Sequence, residues 1–479
     1  MADRRLNTKI CTIILCILSM KISPVHAGIK ELKTDNLQKK SALLTCTSEY
    51  GSICDYRLTS ININWWDNFS DPLIKEYIYR AIEKNHDLKK AALRTEEYRQ
   101  LVKSSISDEL PKLMIVPSFL RVKTAGGNQL EDIRFSTTRT NIYNIPLFAT
   151  YEADIFLKNH DKTKSAKKQK EAIEYEEKAA YISMASDVAS LYVNIIKLDK
   201  LIETQTKIAA IREKIYLLTK DRNLAGLAST YDVTYTDKLH TIALIELSDL
   251  KKQRALYLHQ LAVYIGENPC DECILKRNSF DKLEYKAKIP ECISSEAALM
   301  RPDLMKAEAE LKKAKIDITI ARKEFLPNIP IFGSAGYNSL RLKGLFDWEN
   351  IAAFVGVAAV QKLYTGGKLT ANLRIKKIQF EELFENYKQA DLKAIQEIND
   401  SLCMIKYDTQ KDKDNNKKLN LEKKNFGLIK ERYNAGIMSY LQMIQYEENV
   451  LSLQNEKDNS KAQRLIDYMT LYKATGTKL

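Results

Sequence analysis

The sequence predicts a mostly α-helical fold with a small membrane β part, laid out twice along one chain. Three observations carry this. Two long stretches contain neither proline nor glycine, four apolar segments of about ten residues lie between helical blocks, and a set of short motifs recurs at two nearly equal offsets.

The N-terminus comes first. Arg4, Arg5 and Lys9 precede an apolar run from Ile10 to Met20, and Val25-His26-Ala27 forms a small-residue site before Gly28. This is the pattern of a cleaved secretory signal over 1–27, and the run is too short to span a bilayer. Residues 28–64 form an N-terminal segment. The longest later apolar segment, Ile351 to Val360, covers ten residues, so membrane residence has to use β-strands closed into a barrel.

The helical blocks follow from punctuation. Proline and glycine are absent from Asp161 to Ala225 and from Lys368 to Phe426. Stretches of about sixty residues imply helices of roughly 90 Å. Apolar residues fall at coiled-coil spacing, at Ile182, Ala185, Ala189, Tyr192 and Ile196, then Ile208, Ile211, Ile215 and Leu218. Leu383, Tyr387, Ala390 and Ala394 do the same in the second stretch. The drifting, alanine-containing seams point to antiparallel packing within a larger assembly.

Each long helix ends at a similar turn and is followed by a shorter helix. Arg222-Asn223-Leu224-Ala225-Gly226-Leu227-Ala228-Ser229 matches Arg432-Tyr433-Asn434-Ala435-Gly436-Ile437-Met438-Ser439 at an offset of 210. The same offset relates Asp187-Val188 to Glu397-Ile398 and Gly266 to Gly476. Upstream, Asp87-Leu88 matches Asp303-Leu304, and Leu110-Pro111 matches Leu326-Pro327, at an offset of 216. Such a long-period match predicts two copies of one plan, over 65–268 and 292–479, joined by a polar linker at 269–291.

The apolar segments run from Leu113 to Val122, Asn141 to Tyr151, Ile329 to Tyr337 and Ile351 to Val360. The second alternates well, with Tyr143, Ile145, Leu147, Ala149 and Tyr151 on one face. Pro117 and Pro146 count against central strand positions. Four strands cannot close a membrane barrel, because the smallest have about eight. Two chains give eight strands with no useful lumen, and three give twelve. The fold expectation is therefore a trimeric 12-stranded β-barrel continuous with a long α-helical barrel, which the resemblance described below implies to be periplasmic, enclosing one conduit.

The formal charge is +13, and loss of Arg4, Arg5, Lys9, Lys21 and Asp3 with the signal leaves +10. The lysines alternate with acids along helices, as from Lys162 to Lys178, so the basic balance describes solvated helix surfaces and no nucleic-acid partner. Six cysteines remain after the signal. In an oxidising compartment Cys270 and Cys273, a C-x-x-C beside Pro269, read as a local disulfide, and Cys46 and Cys54 are a second candidate pair. Cys403 lies in a helix and is expected as a free core thiol. The histidines show no metal-ligand spacing, and no phosphate loop, nucleophile elbow or H-E-x-x-H occurs, so neither an enzyme nor a cofactor is expected.

From Trp65 to the C-terminus the chain resembles the TolC-like outer-membrane efflux proteins, in the branch that partners resistance-nodulation-division pumps. The resemblance rests on Trp65-Trp66-Asp67-Asn68-Phe69-Ser70-Asp71-Pro72-Leu73, Asn85-His86-Asp87-Leu88 and Tyr151-Glu152-Ala153-Asp154-Ile155-Phe156 in the first half. In the second half it rests on Arg301-Pro302-Asp303-Leu304, Phe325-Leu326-Pro327, Gly333-Ser334-Ala335-Gly336-Tyr337 and Gly366-Gly367-Lys368-Leu369. It implies a homotrimer in outer-membrane lipid, a periplasmic adaptor docking at the helical tip, and an inner-membrane transporter, of the resistance-nodulation-division or ABC type, that supplies energy.

Carried over by match, Arg222, Gly226, Arg432 and Gly436 are candidates for the tip turns and adaptor contact. Family members commonly ring the periplasmic constriction with acids just past these turns. Here the matching positions are Asp232 in the first half, and Gln442 and Gln445 in the second, which predicts a less cation-selective constriction. The cleavage site before Gly28 favours a non-lipidated protein, although many members of the branch are lipoproteins. The rival readings are an outer-membrane duct for type I protein secretion and a soluble coiled-coil scaffold, which would need neither the apolar segments nor the duplication.

Overall fold

The computed structural model describes residues 65–123, 139–269, 275–289, 293 and 299–476. The signal segment and Cys46, Cys54, Cys270 and Cys273 lie outside the described residues.

A 3-10 turn over Trp65–Asn68 leads into α1 (Pro72–Lys84), which starts behind Asp71; that carboxylate accepts from the Leu73 amide at 2.9 Å. Ile74, Tyr77, Ile78 and Ala81 recur at helical spacing and form the buried face of α1. Asn85 separates α1 from α2 (His86–Ser107); its side-chain oxygen accepts from the amides of Asp87 and Leu88, and its amide donates to the Tyr264 carbonyl. Asn85 is thus both a helix cap and a tie to the far end of a later helix.

The two long helices are α3 (Lys158–Leu224) and α6 (Lys368–Asn434), each of 67 residues, so each runs about 100 Å. α6 continues through Gly427, nine residues before its turn glycine Gly436, at a cost of about 1 kcal/mol relative to alanine. The shorter α4 (Thr230–Tyr264) and α7 (Tyr440–Thr475) return antiparallel along them, and α5 (Pro302–Lys323) plays in the second half the part α2 plays in the first. α3 is apolar enough over one window to cross a membrane by composition. Its apolar residues are spent on packing: Ile182, Ala185, Ala189, Tyr192 and Ile196 are all buried.

Five strand segments form one antiparallel sheet: β1 (Lys112–Ile115), β2 (Ser118–Lys123), β3 (Arg139–Glu152), β4 (Pro330–Ser339) and β5 (Ile351–Val357). β1 and β2 lie end to end along one side of β3, followed by β4 and then β5. The predicted single strand from Leu113 to Val122 is therefore interrupted at Val116-Pro117, but its register is not: Ile115 lies opposite Leu147 and Ser118 opposite Asn144.

Pro146 departs from expectation, since β3 is interior within the chain. The Pro146 carbonyl accepts from the Val116 amide at 3.2 Å. On a strand a residue's nitrogen points to the same side as its carbonyl, so the missing N–H faces the interruption around Pro117 and removes no bond to β4.

The main core lies where the first, middle and last described segments meet. Trp65, Trp66, Phe69 and the α1 face pack with Ala185 to Ile196 of α3, Leu261 and Ile265, and Ala462, Leu465 and Met469 of α7. The described part of the expected linker joins this core through Leu275, Phe280 and Leu283. Lys461 fastens it, donating to the Phe280 and Asp281 carbonyls at 3.3 and 3.2 Å. Cys403 corrects an expectation: it is a free thiol, but exposed. The buried seam of α6 passes through Ala394, Ile398, Ser401 and Ile405, and Cys403 lies off it.

Candidate functional site

The register divides the sheet into two unlike faces. One carries Leu113, Ile115 and Phe119, then Tyr143, Ile145, Leu147, Ala149 and Tyr151, then Ile331, Ala335 and Tyr337, and Ile351, Ala353, Val355 and Val357. The other mixes apolar side chains with Lys112, Ser118, Thr140, Asn144, Thr150, Glu152, Ser334 and Asn338. The apolar face is exposed in the single chain, with Val355 at 80% and Leu113 at 68%. Tyr143 and Tyr151 bracket it, eight residues apart on β3, or about 26 Å along the strand and roughly 20 Å in height for a tilted membrane strand. An apolar band of that order, with a tyrosine at each end, suits the hydrocarbon part of a lipid bilayer. Among the described residues, β1 and β2 pair only with β3, and β5 only with β4. Both edges of the sheet are open.

The strands feed α3 through the Tyr151 to Phe156 motif. Leu157 takes a left-handed conformation and makes no cap of its own. Asp154 caps instead, accepting from the Lys158 and His160 amides at 2.6 and 2.9 Å. Lys158 then reaches Glu152 at 3.1 Å and Asn328 at 2.9 Å, so the sheet-to-helix corners of both halves are tied together.

At the other end of the helices the two tip turns have the same geometry. Gly226 and Gly436 both adopt φ +73, a conformation open to glycine at little cost. Leu227 N–H donates to the Arg222 carbonyl at 2.8 Å, and Ile437 N–H to the Arg432 carbonyl at 3.0 Å, completing the same helix stop. Leu224, Leu227, Tyr231 and Ile437 stand exposed there. Arg222 and Arg432 are exposed at the last turns of α3 and α6, where the negative helix end favours a cation.

The constriction candidates have local work. Asp232 is the third residue of α4, and its carboxylate accepts from the Ser229 amide and hydroxyl at 3.0 and 2.7 Å. Those bonds hold its carboxyl below the usual range, so it stays charged. Gln442 stands at the same place in α7, its side-chain oxygen accepting from Ser439 at 3.2 and 3.0 Å. The amide keeps the capping box and loses the charge. Gln445 is exposed one turn further on.

Several groups escaped sequence reasoning. Tyr192 donates to Asp71 at 2.7 Å, and Asp71 also accepts from the Asn278 side chain at 2.8 Å, joining three distant segments inside the core; burial pushes the Tyr192 hydroxyl well above its ordinary range. Arg301, buried at the start of α5, holds Asp303 at 2.7 Å, Glu397 of α6 at 2.6 Å and the Ala474 carbonyl of α7 at 2.8 Å. Asp467 is buried, with Gln463 donating to one oxygen and the other unsatisfied. Burial pushes it up to about 6, with a contribution from neighbouring Asp408. The available signal was a charge at helical spacing from the buried Leu471 and Ala474 of α7.

The family model for outer membrane efflux proteins matches residues 77–267 and 293–477. The chain belongs to the outer membrane efflux protein family. It is an outer-membrane efflux component. Among relatives of this family, the solvent efflux pump outer membrane protein SrpC of Pseudomonas putida is 26% identical over 85% of this chain and 86% of its own. The pyoverdine export outer membrane protein OpmQ of Pseudomonas aeruginosa is 25% identical over 86% of each. Among solved structures, the CmeC outer membrane channel of Campylobacter jejuni superposes with a TM-score of 0.80 at 23% identity, over 89% of this chain and 91% of that one. The open-state MtrE outer membrane channel of Neisseria gonorrhoeae gives 0.77 at 25%, over 88% and 94%.

Proposed function

We propose that three copies of this efflux protein close a twelve-stranded barrel on top of a helical barrel. Together they form a passive exit duct for small molecules, with no catalytic step of its own. The observation that carries this is the sheet with one apolar face and two open edges. In lipid every backbone polar group needs a partner, and the edges of β2 and β5 find theirs on neighbouring copies.

The two halves derive from one duplicated unit, over 65–268 and 292–479. In support, the two long helices have equal length, and Gly266 packs on Lys84 as Gly476 packs on Arg301. A periplasmic adaptor meets the exposed apolar and basic tips around Gly226 and Gly436, and an inner-membrane pump loads the duct. Relatives named for solvent efflux and pyoverdine export favour small cargo over secreted proteins.

Single-channel recording in planar bilayers tests this reading. A trimer gives discrete conductance steps and weak cation selectivity that Asp232→Asn lowers further. Strong cation selectivity unchanged by that substitution contradicts the role given to Asp232, and absence of any channel contradicts the duct.

A further inference from the structure

The apolar face of the sheet changes character at its outward end. Phe119 and Tyr143 pair across β2 and β3, with ring centroids 5.0 Å apart, and close the apolar band there. Continuing along the same face, the register brings Arg121 opposite Asn141 and then Lys123 opposite Arg139. Two and four residues past the aromatic row is about 7 and 13 Å along the strand, or roughly 5 and 10 Å in height for a tilted membrane strand. That is the headgroup layer, where the hydrocarbon core gives way to the polar zone.

Three further facts bear on what meets these cations. Lys123 and Arg139 are direct cross-strand partners, and like charges so placed repel. None of the three makes an ion pair or hydrogen bond with another described residue, and the alternate positions on these strands, Val122, Thr140 and Ile142, provide no acid. The opposite end of the same face, at Tyr151, Ile331 and Val357, carries no charge. The cations thus occur at one membrane surface only, the one distal to the helices, which is the outer leaflet.

We propose that Arg121, Lys123 and Arg139 form a binding site for the phosphate groups of a phosphorylated glycolipid in the outer leaflet. The guanidinium forks of Arg121 and Arg139 suit phosphate oxygens, and an anion between strands relieves the repulsion of Lys123 and Arg139. The acyl chains of the same lipid lie along the apolar band below. The inference rests on the outward orientation of that band, given above.

The test uses the purified full-length protein in detergent, with native mass spectrometry titrating bisphosphorylated lipid A, monophosphorylated lipid A and inorganic phosphate. The wild type is expected to retain the bisphosphorylated lipid best and the monophosphorylated lipid several-fold less, with millimolar phosphate failing to displace either. The triple variant Arg121→Gln, Lys123→Gln, Arg139→Gln is expected to lose roughly a hundredfold in affinity, at about fivefold per charge. All three side chains are exposed on strands, so the variant should keep the wild-type melting transition. Equal lipid affinity in the triple variant, or complete displacement of lipid by phosphate, overturns the site. A separate Val355→Trp protein, reconstituted with brominated lipids, reports on the band itself. Quenched Val355→Trp fluorescence with unchanged lipid A binding by the triple variant defeats only the glycolipid site. Unquenched fluorescence defeats the orientation on which it stands.

Discussion

Replacing Gly336 by alanine puts a methyl group where the sheet has no room. Gly336 lies directly opposite Pro146 in the β3–β4 ladder. A Cβ there would sit 2.2 Å from the Ile145 carbonyl oxygen and 2.6 Å from the Pro146 Cα. Ordinary carbon–oxygen contacts in sheets are about 3.3 Å or longer, so the strands must part by about 1 Å. Both obstacles are backbone, and no rotamer change relieves them. Overpacking of this kind costs about 1–3 kcal/mol, and each ladder bond lost nearby adds about 1 kcal/mol. The expected destabilisation is therefore about 2–4 kcal/mol, read from denaturant unfolding of the protein in detergent. Gly333→Ala is the internal control. Its Cβ would meet the Phe354 carbonyl oxygen at 3.2 Å, a contact relieved by a few tenths of an ångström, so its effect should stay below about 1 kcal/mol. A Gly336→Ala protein within about 0.5 kcal/mol of wild type would refute the steric reasoning and the register behind it.

Other expectations follow from the helical region. Asp467 binds its proton more tightly folded than unfolded, since its pKa rises from 3.8 to about 6. Its cost is absent below the lower value and grows as pH climbs through the higher one, to at most about 3 kcal/mol. Asp467→Asn should flatten the pH dependence of the melting temperature between these values and stabilise the protein at neutral pH; an unchanged profile contradicts the burial assigned to this carboxyl. Tyr192→Phe removes the hydroxyl held by Asp71 and should cost about 1–3 kcal/mol in chemical unfolding, whereas a neutral result would mean the link is replaced. Gly226→Ala and Gly436→Ala force alanine into φ +73 and should each cost about 1–2 kcal/mol, visible as a lower thermal midpoint. With open space around both glycines, any larger loss of export by cells carrying either variant would come from the tip's contacts.

Much of the architecture was legible because it is periodic. The absence of proline and glycine marked the first long helix to within a few residues and the start of the second, which runs on through Gly427 to its turn, and the spacing of Ile182, Ala185, Ala189, Tyr192 and Ile196 identified a buried stripe. The sheet was harder. Its segments alternate weakly because the less apolar face mixes Phe148 and Phe354 with Ser334 and Asn144, so polarity does not switch at every residue. The break at Pro117 and the tolerance of Pro146 depend on each other across two strands, and one-dimensional reading treats them as separate penalties. The tips were readable from Gly226 and Gly436, because positive φ leaves a compositional mark. The capping role of Asp232 and Gln442 was also written in the sequence, as serine followed three residues later by an acid or amide, but the search for a constriction passed over it. Long-range ties such as Tyr192 to Asp71 and Arg301 to Ala474 leave no local signal, since each joins segments more than a hundred residues apart.

Counting the chains in one detergent-extracted particle decides whether the open sheet edges are closed by copies of this protein. Native mass spectrometry of the purified protein should return the mass of three chains, with no stable smaller species at working concentration. A particle of one chain, soluble and folded without detergent, would contradict the shared barrel and the conduit it encloses.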